Sequence, residues 1–264
     1  MITKTNTWKM AATALAASVL LCGCQTVSSW MPQHDKVAEA RQNESAKDTG
    51  LTENITPAQK LNVQLAVAQS VEEENHPDQA AKIYLDVIKK DSHSVAAYQR
   101  LGLLYAKQGQ WALSQKYFEG AINLAPKSPE LQCDLGYAFY LQRRDKEAEV
   151  CFHHALALDA NYGRAHNDLG LVMARAANEN EALKEFGRAG CTESQAHANL
   201  ALCYSIENRL NDARLHYRIA LAMDPNLAIA RSGMAALDKV DEKLIRDNHV
   251  EQPQLTSRPQ IGAF

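Results

Sequence analysis

VAAYQRLGLLYAKQGQWALSQKYFEGAINLAPKS, residues 95–128, decides the fold, because the chain goes on to repeat it. Leu101-Gly102 with Tyr105 returns as Leu135-Gly136 with Phe139, then as Leu169-Gly170 with Met173, a period of 34 residues. Behind each set comes a small residue, an aromatic and an alanine: Ser114, Phe118, Ala121; Ala148, Phe152, Ala155; Ala182, Phe186, Ala189. A period of this length reads as two antiparallel helices, and units this small bury their apolar faces only by stacking into a solenoid. The helices of a pair are expected to cross most closely where the Gly or Ala of the first meets the Ala or Ser of the second. The aromatics Phe118, Phe152, Phe186 and Tyr217 then fill the gap beside that contact and reach into the next repeat. These residues are expected to be core, with the functional residues elsewhere.

This pattern resembles the tetratricopeptide repeat family over roughly residues 59–240. The second copy carries the family's signature throughout: Tyr98, Leu101, Gly102, Tyr105, Ser114, Phe118, Ala121 and Pro126. Stepping back 34 residues finds a degraded first copy in Val67, Ala68, Val71, Ala80, Tyr84 and Val87. The fifth copy (Leu200, Ala201, Tyr204, Ala213, Tyr217, Ala220, Pro225) arrives 31 residues after the fourth. The missing three fall around Gly190-Cys191-Thr192, where Gly190 suits a left-handed helix end. Three residues at about 1.5 Å rise remove nearly one turn, giving either a change of twist and a hinge or an inert deletion. The resemblance implies an all-α tetratricopeptide repeat solenoid, a right-handed superhelix of about five helix-turn-helix repeats. Its expected bounds are 59–94, 95–128, 129–162, 163–193 and 194–227, with a capping helix over 228–246. That last helix places Met234-Ala235 at the register positions and Asp238, Lys239, Asp241, Glu242 and Lys243 on a polar outer face. Residues 247–264 read as a disordered tail.

Lys4 and Lys9 precede an apolar run from Met10 to Leu21, then Cys22-Gly23-Cys24. That reads as a secretory signal, too short for a stable membrane span, with an uncleaved helical anchor as the rival reading. Leu21-Cys22-Gly23-Cys24 resembles the bacterial lipobox, which implies a signal peptide over 1–23 and acylation at Cys24. Gln25 in place of Asp implies sorting to the outer membrane, facing the periplasm. Several acyl chains, at about 0.8 kcal/mol per buried methylene, would hold the protein firmly. Residues 24–58 are polar and read as a tether of roughly 30 Å root-mean-square span. Thr56-Pro57 suits the start of the first helix.

The formal charge is −3, and removing Lys4 and Lys9 with the signal leaves −5. No basic stripe exists, which argues against nucleic acid as a partner. Four cysteines follow the lipobox: Cys133, Cys151, Cys191 and Cys203. Cys133 is expected on the concave side and Cys151 outward, and Cys191 and Cys203 more than about 7 Å apart, so free thiols are expected. Cys151-Phe152-His153-His154 offers too few ligands for zinc, which wants four. His166 and His197 recur at one early helix position and read as packed rings. With no Ser-His-Asp order, phosphate loop or carboxylate pair, the chain reads as no enzyme, with no cofactor, metal or small-molecule substrate.

Function is then expected on the concave face. The family's ligand-facing positions map onto Gln99, Leu103 and Lys107; Glu130, Tyr137, Tyr140 and Leu141; Arg164, Asn167, Leu171 and Arg175; Leu202 and Ile206. Tyr137, Tyr140, Leu141, Leu171 and Leu202 would form an apolar stripe flanked by Arg164 and Arg175. The Lys-Asn clamp of chaperone-binding relatives is absent, with Leu65, Gln69, Asp134 and Asp168 in comparable places. The resemblance extends to pilotin and Tad-type pilus assembly lipoproteins. It implies a membrane-anchored scaffold gripping a peptide or helix of an envelope protein, in secretin or pilus assembly. The alternatives are a general periplasmic adaptor for envelope enzymes or outer-membrane assembly and, behind it, an enzyme.

Overall fold

The computed structural model describes residues 56–250, with side chains described to residue 242. The signal peptide, Cys24, the tether to residue 55 and the tail beyond residue 250 lie outside the described residues. Eleven helices and no strand occur among the described residues. Five hairpins follow one another: α1 Pro57–Glu73 with α2 Pro77–Lys90, α3 Val95–Lys107 with α4 Trp111–Leu124, and α5 Pro129–Leu141 with α6 Asp145–Leu158. Next come α7 Gly163–Arg175 with α8 Glu179–Arg188, and α9 Glu193–Ile206 with α10 Leu210–Met223. A single helix α11, Ala228–Val250, closes the array.

Local signals set the helix ends. Thr56 caps α1 in a reciprocal box with Gln59, and Thr192 does the same for α9 with Gln195. Within every hairpin one residue takes the left-handed conformation: Asn75, Gly109, Arg143, Ala177 and Asn208, with φ between 60° and 70°. The residue after each donates its amide back to the end of the first helix, as from Gln110 to the Tyr105 carbonyl at 2.8 Å. Between hairpins, Asp91, Asp159 and Asp224 each accept from the amide two residues on. That aspartate turn is missing after α8. Gly190, at φ 90°, ends the helix instead, and the Cys191 amide bonds the Phe186 carbonyl at 3.1 Å. The three-residue deficit is therefore taken from α8, which has 10 residues against 14 in the other second helices.

The close contact inside the three central hairpins differs from the expected one. The glycines meet aromatic rings. A Cβ placed on Gly102, Gly136 or Gly170 would stand 2.7, 2.6 and 2.6 Å from the rings of Phe118, Phe152 and Phe186. All three rings are fully buried, each contributing about 1.5–3 kcal/mol of apolar transfer. The capping helix repeats the device with Gly233 against Tyr217, one residue before the Met234-Ala235 expected, and Ala235 is exposed.

First helices also pack on the first helices of the next repeats (α3 on α5, α5 on α7, α7 on α9, α9 on α11), while successive second helices make no comparable contact. The first helices therefore form the tight inner wall of a tetratricopeptide repeat solenoid. One buried cluster runs unbroken from Ala174 through Phe186, Cys191 and Leu200 to Leu237. The short α8–α9 connection lies inside that cluster, so its surroundings are packed as a core and not as a hinge.

Two further expectations change. Cys151, expected outward, is buried like Cys133, and both are free thiols, as is Cys203. On the polar face of α11, Arg214 reaches Asp241 at 2.7 Å and Asp238 at 3.8 Å. Residues 247–250, expected in the tail, continue the backbone of α11. No described helix is long and apolar enough to cross a membrane.

Gly136→Ala should lower stability by about 1–3 kcal/mol through overpacking against Phe152. Ala177→Gly should raise it by about 1 kcal/mol by relieving a left-handed alanine. Urea titration followed by circular dichroism checks both signs.

Candidate functional site

On each first helix, residues spaced by four, three and four share one face. On α3 these are Ala96, Arg100, Leu103 and Lys107; on α5, Glu130, Asp134, Tyr137 and Leu141. On α7 they are Arg164, Asp168, Leu171 and Arg175; on α9, Gln195, Asn199, Leu202 and Ile206. Side by side, the four faces give the inner wall three zones. Leu103, Tyr137, Leu171 and Leu202 run as an apolar belt, half-buried and packed on the core below. Polar residues lie on one side of it. The last row, Lys107, Leu141, Arg175 and Ile206, lies on the other, with Leu141 45% and Ile206 42% exposed. A small cleft of about 40 Å³ opens where Leu103, Ala106, Tyr137, Ala138 and Leu141 meet, beside Asp134.

The expected stripe is thus corrected in part. Tyr140 is not exposed. It stacks on Tyr137 at 5.8 Å and lies under the Arg175 guanidinium, 3.5 Å from its ring centre. Arg164 and Arg175 are not free rim charges, because their side chains keep only 14% and 11% of their exposure. Arg175 donates to the Tyr140 carbonyl at 2.9 Å and to Asp145 at 2.5 Å, with Glu207 at 3.4 Å. Arg143 completes this group with two 2.7 Å contacts to Glu207, joining the third hairpin directly to the fifth. Lys107 is paired with Glu72.

On the polar side, Arg164 donates to Asp134 at 2.6 Å, and Gln99 donates to Asp134 at 2.7 Å and to Glu130 at 2.9 Å. Asp168 lies 3.7 Å from the same guanidinium and accepts one weak bond from Asn167 at 3.3 Å, leaving its Oδ2 buried without a hydrogen bond. Burial pushes Asp134 above the usual carboxylate range against the pull of Arg164, and pushes Asp168 up to about 6. Sequence reasoning noted Asp134 and Asp168 only as departures from a clamp. Their placement opposite Arg164 was detectable from the four-residue spacing on α5 and α7.

His166, His197 and His216 sit between the two helices of their own hairpins, His166 and His216 buried and His197 half-buried. His166 Nδ1 faces Glu185 at 2.7 Å and its Nε2 faces the Ala160 carbonyl at 3.1 Å. His197 stacks on His216, with Nδ1 to Nδ1 at 2.9 Å, so one ring must donate and the other accept. His216 Nε2 lies 3.5 Å from Glu179, which also accepts from the Tyr204 hydroxyl at 2.8 Å. Burial holds the thiols of Cys151 at about 11 and Cys203 at about 12, which gives no thiolate at neutral pH. No group of three His, Cys, Asp or Glu among the described residues is placed to hold a metal ion.

Residues 65–129 and 100–152 match the tetratricopeptide repeat family. Over 150 residues the chain is 26% identical to cell division cycle protein 27 homolog B of Arabidopsis thaliana, covering 54% of this chain and 20% of that protein. Over 195 residues it is 20% identical to protein O-mannosyl-transferase TMTC1 of Mus musculus, covering 72% of this chain and 17% of that one. The chain spans about a fifth of the length of the curated relatives it matches. Among solved structures it resembles the APC/C hetero-tetramer Cut9-Hcn1, with TM-score 0.54 and 20% identity over 77% of this chain and 40% of that one. It also resembles MamA of Desulfovibrio magneticus RS-1, with TM-score 0.51 and 14% identity over 64% of this chain and 97% of that one. These likenesses show the fold, and arrays of this fold are generally protein-interaction scaffolds.

Burial first and the neighbouring His216 second lower the pKa of His197 below its ordinary value. The unfolded chain then binds the proton more readily, so stability is complete above pH about 6.5 and declines as pH falls below it. The raised carboxyls of Asp134 and Asp168 act in the opposite sense, so the His197 contribution is read as a difference: thermal melts at pH 5, 6 and 7 should show the wild type losing more stability on acidification than His197→Asn.

Proposed function

We propose that this chain is a membrane-anchored scaffold whose inner wall holds a polypeptide segment of another cell-envelope protein. The observation that carries the reading is the apolar belt Leu103, Tyr137, Leu171 and Leu202, bordered by exposed Leu141 and Ile206 on the wall of a rigid array. Large side chains exposed beside a half-buried apolar strip mark a surface that gains by being covered. A wall made of helices keeps its geometry before binding, which lowers the ordering cost of association.

The anchoring rests on the lipobox-like Leu21-Cys22-Gly23-Cys24, with Gln25 supporting the outer membrane. The resemblance to pilotin and Tad-type lipoproteins supports a partner from a secretin or pilus machine, placed at that membrane by the tether.

Two measurements test the halves separately. Cys24→Ser should abolish palmitate incorporation and release the protein from membranes; retention with the label present would reject the anchor. Leu141→Asp combined with Ile206→Asp alters exposed positions only. It should leave the helical circular dichroism unchanged and remove a secretin or pilus component from affinity-purified protein. Unchanged recovery would reject the wall, and recovery of several unrelated envelope enzymes would favour a general adaptor.

A further inference from the structure

The polar side of the inner wall holds more carboxylate than its cations match. Asp134 and Asp168 occupy the same register position on α5 and α7, both almost fully buried. One guanidinium, Arg164, lies between them. It is committed to Asp134 at 2.6 Å and stands 3.7 Å from Asp168. Gln99 takes the second oxygen of Asp134, so that carboxylate is complete. Asp168 is not. Its only hydrogen bond is the 3.3 Å contact from Asn167, and its Oδ2 is buried with none. Leaving a buried acceptor unmatched costs the free protein stability. Asp168 lies on the wall-facing stripe of α7, one turn from Arg164 and three residues before Leu171. Asp168 therefore stands beside the apolar belt, its unmatched oxygen covered just beneath the wall surface.

We infer that the segment held by this wall is a cationic amphipathic helix, whose apolar face covers the belt and whose lysine or arginine reaches Asp168. The inference rests on the wall being the binding surface and names the chemistry of its occupant. A long basic side chain suits the position, since its methylenes can lie on Leu171 while its charged end reaches the carboxylate. A charged donor supplies the missing hydrogen bond and the missing counter-charge together. An acidic segment would meet Glu130, Asp134 and Asp168 and be repelled.

The test uses the full chain and two fluorescent helical peptides with the same leucine stripe, one flanked by lysines and the other by glutamates. Fluorescence anisotropy should show the lysine peptide binding more tightly by roughly tenfold or more, with the preference shrinking as salt rises. Asp168→Asn should erase most of that preference and at the same time raise the melting temperature of the free protein. A purely structural Asp168 predicts the reverse: a lower melting temperature with peptide binding unchanged. Protonation predicts that lysine-peptide binding weakens below pH about 6 in the wild type and not in Asp168→Asn. Equal affinity for the two peptides, or binding of neither, overturns the inference. If both bind equally and Leu141→Asp with Ile206→Asp abolishes both, the wall reading survives while the cationic occupant is rejected.

Discussion

The missing side chain at Gly102, Gly136 and Gly170 is what admits a phenyl ring between the two helices of each central hairpin. With a methyl group there, the ring of Phe118, Phe152 or Phe186 would have to move, and each ring is a fully buried centre of its core. The helix spacing, the stacking of one hairpin on the next and the close approach of the first helices all follow from that fit. The wall inherits its regularity from it, because identical contacts repeated at 34 residues place equivalent side chains in rows.

Much of this architecture could be read from the chain, since glycine and phenylalanine at fixed spacing report on the same contact that builds it. The left-handed end at Gly190 was also legible, because glycine marks that backbone state cheaply. The identity of the contacting pair was not. Sequence reasoning set glycine against alanine or serine, whereas a helical pattern gives the face of a residue but not which partner fills the space. Tyr140 shows the same limit. Its family position implies exposure, but Arg175 from the next repeat folds over it, held by Asp145 and a backbone carbonyl distant in sequence. Exposure at a repeat interface depends on the neighbour's side chain. The acylation signal is a separate matter: it lies in residues the structure does not describe.

The charges of the wall divide by how well they are matched. Around Arg175, two guanidiniums and two carboxylates balance in charge across three hairpins, although Arg175 Nε is buried without a hydrogen bond. Around Arg164, two buried carboxylates share one guanidinium, and the second is served poorly. A fold can carry such a mismatch only because the glycine–aromatic cores provide stability elsewhere. Frustration of this kind is ordinarily found where a protein meets something else.

Arrays of repeats usually melt from their ends, unit by unit, because each touches only its immediate neighbours. The two short contacts from Arg143 to Glu207 break that rule by skipping the fourth hairpin altogether. Fraying that begins at the carboxyl end must release this staple before the fifth hairpin can leave, and loss of the fourth would strain both its neighbours. Hairpins three and five are therefore tied to each other directly, in addition to the contacts each makes with its immediate neighbours. A cargo lying along the inner wall would then feel the third and fifth hairpins move together.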